Sequence, residues 1–231
     1  MKEYIYKRKA VRSFKEETLS EREIQEISNY LKKAKPLFPS IKYQVVITEK
    51  IKNSFNVKAP YYLLFYSESE DGYLENLGFV GQQICLYLNS IGFGNVWLGG
   101  GKPKEKSDNS NYVICVGFGK PAEDLFRTSE DFKRKDIKVI SNKDNEIIEA
   151  ARLAPSAINA QDWFFYQDDN LIHCYHRKAD FPLNTLLGHM SGVDLGIALC
   201  HMFLVSKNAT FEKTTSYPQI KNCVYFITMK I

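Results

Sequence analysis

The sequence predicts an α+β fold built from two similar halves, and three observations carry that expectation. Apolar residues recur first at helical spacing and then in short β-like runs, giving the order helix–strand–strand–helix–strand, and the same order starts again near residue 145. Laying Gly81 on Gly196 also lays Cys85 on Cys200, inside the two most apolar helical stretches, as an internal duplication would. The 231 residues are 44% hydrophobic and 25% charged, which suffices for one large core or two fused small ones and excludes wholesale disorder. The expected halves are residues 1–140 and 141–231.

Ser20 with Glu23 three residues later has capping-box spacing, and Ile24, Ile27 and Leu31 then form one apolar helical face. Pro36 and Pro39 are expected to end that helix. Tyr43 to Thr48 and Tyr61 to Tyr66 read as strands, the second more deeply buried. Glu75 to Ile91 reads as a helix with a ridge of small residues at Gly78, Gly81 and Cys85, stopped by the turn Gly92-Phe93-Gly94. Tyr112 to Phe118 is the last strand of the first half. In the second half, Asn145 to Leu153 is a helix closed by Pro155, and Trp163 to Tyr166 and Leu171 to His176 are strands. A long apolar helix from Gly192 to Val205 and a strand from Tyr225 to Met229 complete it.

The formal charge of +4 is too mild for a nucleic-acid face but suits small phosphorylated anions. Five cysteines without a C-x-x-C pair read as reduced core thiols, not as a disulfide framework or a zinc site. His173 and His176 fall on opposite faces of a strand, which disfavours a shared metal. The charged N-terminus has no apolar leader, and the stretch Gly196 to Val205 is too short to cross a bilayer. The expectation is a cytoplasmic protein without membrane or nucleic-acid partners.

Three motifs are candidates for chemistry. Arg8, Lys9 and Arg12 cluster ahead of the first helix; the two arginines, four apart, could grip a phosphate, or the cluster is a solvated basic segment. Trp97-Leu98-Gly99-Gly100-Gly101 leaves backbone N–H groups open to close approach, or is a plain turn. Ala154-Pro155-Ser156-Ala157-Ile158-Asn159-Ala160-Gln161-Asp162-Trp163 is dense in hydroxyl and amide groups, suited to the polar edge of a ring, or is a helix–strand connector. No G-x-S-x-G elbow or phosphate-binding G-x-x-x-x-G-K-[ST] loop is present, which removes the common hydrolase and P-loop readings.

Taken together these segments resemble the FMN-dependent nitroreductase family. Lys7 to Phe14 resembles its basic phosphate-binding opening, and Glu75 to Gly101 its flavin-edge region. Val116 to Pro121 resembles the strand and turn that follow, and Lys133-Arg134-Lys135 the basic pair that closes on the FMN phosphate. The stretch Ala154 to Trp163 resembles a loop that, in the common members, follows the first helix and is presented by the partner subunit. Here Lys35 to Ser40 holds that earlier place, so the chain is similar to a fused subfamily in which two half-length units are joined. Ala10 stands where a hydroxyl residue is usual, and Asp162 where proline is usual.

The resemblance implies a nitroreductase-like, mainly antiparallel sheet flanked by helices, holding one FMN between two pseudo-symmetric halves. It implies that NADH or NADPH reduces the flavin and that a small-molecule electron acceptor, a nitroaromatic or quinone, takes the electrons. Arg8, Lys9, Ala10, Arg12, Lys133 and Lys135 would surround the phosphate. Trp97 and the backbone of Leu98, Gly99 and Gly100 would face the reactive edge. Pro155, Ser156, Ala157, Asn159 and Gln161 would contact the ring from the other half. One chain would then do the work of a dimer, with a homodimer as the alternative. A non-catalytic FMN-binding protein, or another flavin reaction on the same fold, is the rival reading.

Overall fold

In the computed structural model, which describes residues 1–53, 57–104, 111–178 and 183–231, the chain forms two four-stranded antiparallel sheets around a pair of long crossing helices. The N-terminal turn α1 (Lys2–Ile5) precedes α2 (Glu21–Leu31), where Ser20 and Glu23 make the expected reciprocal cap. Next come β1 (Tyr43–Thr48), β2 (Ile51–Asn53), β3 (Tyr61–Ser67) and the helix α3 (Tyr73–Ser90). β4 (Gly94–Leu98), β5 (Gly101–Pro103) and β6 (Tyr112–Gly119) follow, then the short α4 (Ile137–Ile140) and α5 (Glu146–Arg152). The chain finishes with β7 (Trp163–Asp168), β8 (Leu171–Arg177), α6 (Leu183–Val205), β9 (Thr210–Glu212) and β10 (Cys223–Lys230).

The first sheet has the order β1-β3-β6-β4 and the second β7-β8-β10-β9; β2 pairs only with β5. Alternation explains the burial of β3 on both faces. Tyr61, Leu63 and Phe65 enter the main core, while Tyr62 and Leu64 pack into a smaller cluster with Val96, Leu98 and Cys115. The main core draws on both halves, from Phe65 and Ile84 to Trp163 and Cys200. A third cluster joins Ile5, Leu86, Phe132, Ala150, Leu153 and Val205.

The two long helices approach at glycines. A Cβ on Gly78 would overlap the Val193 carbonyl oxygen, and one on Gly196 would overlap the Glu75 carbonyl oxygen. Several boundaries differ from expectation by a residue or two, and two differ by more. α2 stops at Leu31, ahead of Pro36, and Gln83 of α3 then holds the Lys35 N–H and carbonyl at 3.1 and 2.7 Å. α6 begins at Leu183 instead of Gly192, because its backbone runs helically through Gly188, Ser191 and Gly192, which break the apolar pattern. Among the described residues no helix is long and apolar enough to cross a membrane.

Candidate functional site

Three stretches far apart in sequence line one cleft of about 700 Å³: Arg8 to Arg12, residues 123–134, and Pro155 to Asn159. The first is placed by backbone. The Arg8 N–H closes the turn after α1 on the Tyr4 carbonyl, Arg8 bridges to Phe126, and the Val11 N–H donates to the Asn95 carbonyl. Glu123 then fixes the following turn by accepting from the Arg12 and Ser13 N–H groups at 2.6 and 3.0 Å. Its other oxygen lies 2.9 Å from Lys9 Nζ, so the Lys9 charge is locally compensated. Asp131 is likewise occupied in capping Thr128.

With Asp124 also in the lining, the cleft still holds an excess of positive charge. Arg8 is only 1% exposed, and its Nε has no hydrogen-bond partner. Arg134 donates to Asn159 Oδ1 at 2.7 Å and to the Lys133 and Leu153 carbonyls, yet its buried Nε also has no partner. Burial, with neighbouring arginines adding to it, pushes Arg8 down to about 10 and Arg134 down to about 9. Arg127, stacked 3.6 Å over the Phe132 ring, donates from its Nε to the Arg8 carbonyl. Arg12 and Lys133 are exposed at the rim. Buried cations with orphaned donors fit a multiply charged anion such as a terminal phosphate.

The cleft adjoins a smaller cavity of about 150 Å³, with Arg12, Pro155, Ser156 and Ile158 lining both. Trp97, Gly99, Ile114, Ala157, Met190, Val193 and Ile197 give it an apolar wall, and Asp194 joins Arg12 and Ser156 as its polar side. Trp97 is held by a buried chain. Its indole N–H donates to Gln82 Oε1 at 3.3 Å, Gln82 Nε2 donates to His201 Nε2 at 2.8 Å, and His201 Nδ1 donates to the Ala150 carbonyl at 2.9 Å. The carbonyl can only accept, which fixes the His201 tautomer.

The loop over both cavities is strained. Ile158, Asn159 and Gln161 have φ of 47°, 61° and 50°, in the left-handed region, and Ile158 is branched at Cβ. Side chains hold it there. Asn159 Nδ2 donates to the Lys133 carbonyl, the Gln161 N–H donates to Ser156 Oγ, and Asp194 of α6 accepts the Ala157 N–H at 2.9 and 3.1 Å. Ile158 is left 69% exposed.

Most of the sequence candidates thus meet, but not all face the cavities. Gln161 is buried inside the loop, its Oε1 taken by the Lys135 N–H and its Nε2 by the Asn159 carbonyl. Lys135 points to the Gln161 carbonyl and to Asp162, 3.5 Å away, instead of into the cleft. Leu98 is spent in the ladder opposite Cys115, and of the glycines after it Gly99 is the one lining the small cavity. Sequence reasoning passed over Arg127, Met190 and Asp194, and named Arg134 only within the basic stretch Lys133 to Lys135. Arg134 stood between two chosen lysines, and Asp194 is a lone acid in an apolar helix, a signal that was legible. His173 bonds Thr228 and His176 bonds Glu75, and the described residues hold no group of potential metal ligands.

The family described as "Putative TM nitroreductase" matches residues 1–206, and the chain belongs to it. The crystal structure of a putative nitroreductase from Thermotoga maritima is similar with a TM-score of 0.68 and 24% identity, over 99% of this chain and 92% of that one. It shows the fold to be nitroreductase-like. An FMN-dependent nitroreductase from Clostridium difficile matches at TM-score 0.44 and 15% identity, over 58% of this chain and 95% of that one. A putative NADH oxidase from Clostridium acetobutylicum matches at 0.45 and 15%, over 60% and 97%. No curated protein matches the chain.

Proposed function

We propose that this member of the family is an FMN-dependent oxidoreductase that takes reducing equivalents from NADH or NADPH and passes them to a nitroaromatic, quinone or similar acceptor. The observation that carries the reading is the pair of buried guanidinium Nε atoms, Arg8 and Arg134, without partners at a basic cleft that shares a wall with a smaller cavity of mixed polar and apolar lining. Arg8, Arg12, Lys133 and Arg134 would hold the phosphate, with Pro155 and Ser156 between phosphate and ring. Trp97, Gly99 and Ala157 would line the ring, and the Gln82–His201 chain would keep the Trp97 indole in one orientation. The bound flavin would supply hydride chemistry. The names of the Clostridium relatives support FMN and a nicotinamide donor.

The site is proposed to be single and intramolecular, with residues 1–140 and 141–231 as the two members of a duplication. Equal strand orders in the two sheets support this, as does a cleft lined from both halves of one chain. Five cysteines without a disulfide support a reducing, cytoplasmic setting. The test is titration of the cofactor-free protein with FMN and riboflavin, followed by anaerobic addition of NADH or NADPH. One FMN per monomeric chain, riboflavin bound far more weakly, and bleaching by the nicotinamide are expected, with Asn159→Ala weakening FMN. Equal affinity for the two flavins overturns the phosphate assignment, two FMN per chain overturns the single site, and an unbleached flavin overturns the oxidoreductase.

A further inference from the structure

The docking of the strained loop on α6 has a counterpart in the first half. There Asn76 of α3 accepts the Phe38 N–H at 2.9 Å, and Phe38 lies in the segment after α2. In the second half Asp194 of α6 accepts the Ala157 N–H in the same way. A neutral amide is therefore enough to anchor such a segment, so anchoring alone does not call for the buried carboxyl of Asp194. Asp194 is 9% exposed, and it is the acid in the wall of the small cavity, among Trp97, Gly99, Met190 and Ile197. Burial raises its pKa to about 8 against the lowering effect of the Ala157 N–H, and Asp162 adds to the rise.

Reduction of a quinone or nitro group by hydride needs a proton as well. A quinone with one hydride and one proton gives the hydroquinone; a nitro group with the same gives the nitroso compound and water. We propose that Asp194 is the proton donor of this cavity, a catalytic acid that protonates the oxygen of a nitro or quinone acceptor as it is reduced. The hydride equivalent comes from reduced nicotinamide. The carboxyl O–H bond breaks, an O–H bond forms on the acceptor, and the carboxylate regains its proton from water before the next turnover. This rests on the acceptor-reducing reading above.

The charged groups beside Asp194 are Asp162 in the docked loop, itself paired with Lys135, and Arg12 in the wall of the same cavity; Glu75 of α3 lies at Gly192 and pairs with His176. The test is Asp194→Asn, because asparagine already does the anchoring at position 76. Infrared difference spectra of the cofactor-free protein read the carboxyl directly, FMN titration reports the intact loop, and stopped-flow follows reoxidation of the reduced protein by a quinone across pH. Expected are a protonated-carboxyl band present in wild type at neutral pH and missing in the variant, and retained FMN. Reoxidation should be slower by about 10²–10⁴-fold, without the fall in rate that wild type shows as Asp194 ionises. An unchanged rate and pH profile in a variant that binds FMN, or a wild type without the band, overturns the assignment. A wild type that nicotinamide does not bleach overturns the oxidoreductase reading itself, and the donor role with it.

Discussion

Acidification should destabilise the protein through His201, and the size of the effect follows from its surroundings. The imidazole is fully buried, donates from Nδ1 to the Ala150 carbonyl and accepts from Gln82 at Nε2. A second proton would set Nε2–H against the Gln82 N–H, so the folded state needs the neutral ring. Burial pushes the pKa from 6.5 down to about 3, and Arg8 and Arg134 press in the same direction. Between those values the unfolded chain binds more protons than the folded one, so this contribution is whole above pH 6.5 and declines as pH falls. At about 1.36 kcal/mol per unit, the loss on going from pH 7 to pH 5 is about 2 kcal/mol, a large part of a typical margin of about 5–15 kcal/mol. Asp194 acts with the opposite sign. Its pKa is raised from 3.8 to about 8, so its contribution is present at low pH and lost as pH rises through that window. The raw pH profile therefore mixes two slopes, and a paired comparison separates them. His201→Asn does not titrate and can keep the donation to Ala150. Urea unfolding of both cofactor-free proteins at pH 5, 6 and 7 should show the wild-type advantage shrinking by about 2 kcal/mol between pH 7 and 5. Parallel profiles would refute the argument, because they would mean that the buried ring is not kept neutral.

Arg12→Ala should weaken FMN binding by about 1.5–3 kcal/mol, the usual size for hydrogen bonds to a charged group. Arg8→Met should weaken it at least as much while leaving the cofactor-free protein as stable or more so, because it removes a buried guanidinium with an orphaned Nε; unchanged FMN affinity in both would show the cleft not to be a phosphate site. Gly196→Ala should lower unfolding stability by about 1–3 kcal/mol, since its methyl would meet the Glu75 carbonyl at the helix crossing. Gly188→Ala, in the same helix with nothing within 4 Å of the new methyl, is the control and should be neutral or stabilising in thermal melts.

Features with a local cause were legible without the fold. The cap at Ser20 and Glu23, the two-residue alternation of Tyr61 to Phe65 and the apolar run of Gly196 to Val205, interrupted by His201, each record what one segment needs. The family likeness rested on segments of the same kind and was shown by the match over residues 1–206. Strand order was not legible, because the pairing of β1 with β3 and of β3 with β6 depends on partners dozens of residues away. The residue at which α2 ends was not legible either: the helix stops at Leu31, its turn bonds run on to Ala34, and Gln83 of α3 holds the backbone at Lys35 ahead of the prolines.

By itself the sequence determined which stretches are charged, glycine-rich or amide-rich, and hence which residue types are on hand to meet an anion or a planar ring. Only the tertiary structure decided which of those groups face inward. Lys135 and Gln161 have the right chemistry, yet they spend it on each other. Arg134, between Lys133 and Lys135, is turned by Asn159 and the Leu153 carbonyl into the cleft. Asp194 becomes an acid of the cavity because its carboxyl, on α6, takes the N–H of Ala157, a loop residue 37 positions earlier in the chain. The physical reason is common to these cases. A side chain's type is a property of its own residue, whereas its burial, partners and ionisation are set by whichever neighbours the packing delivers.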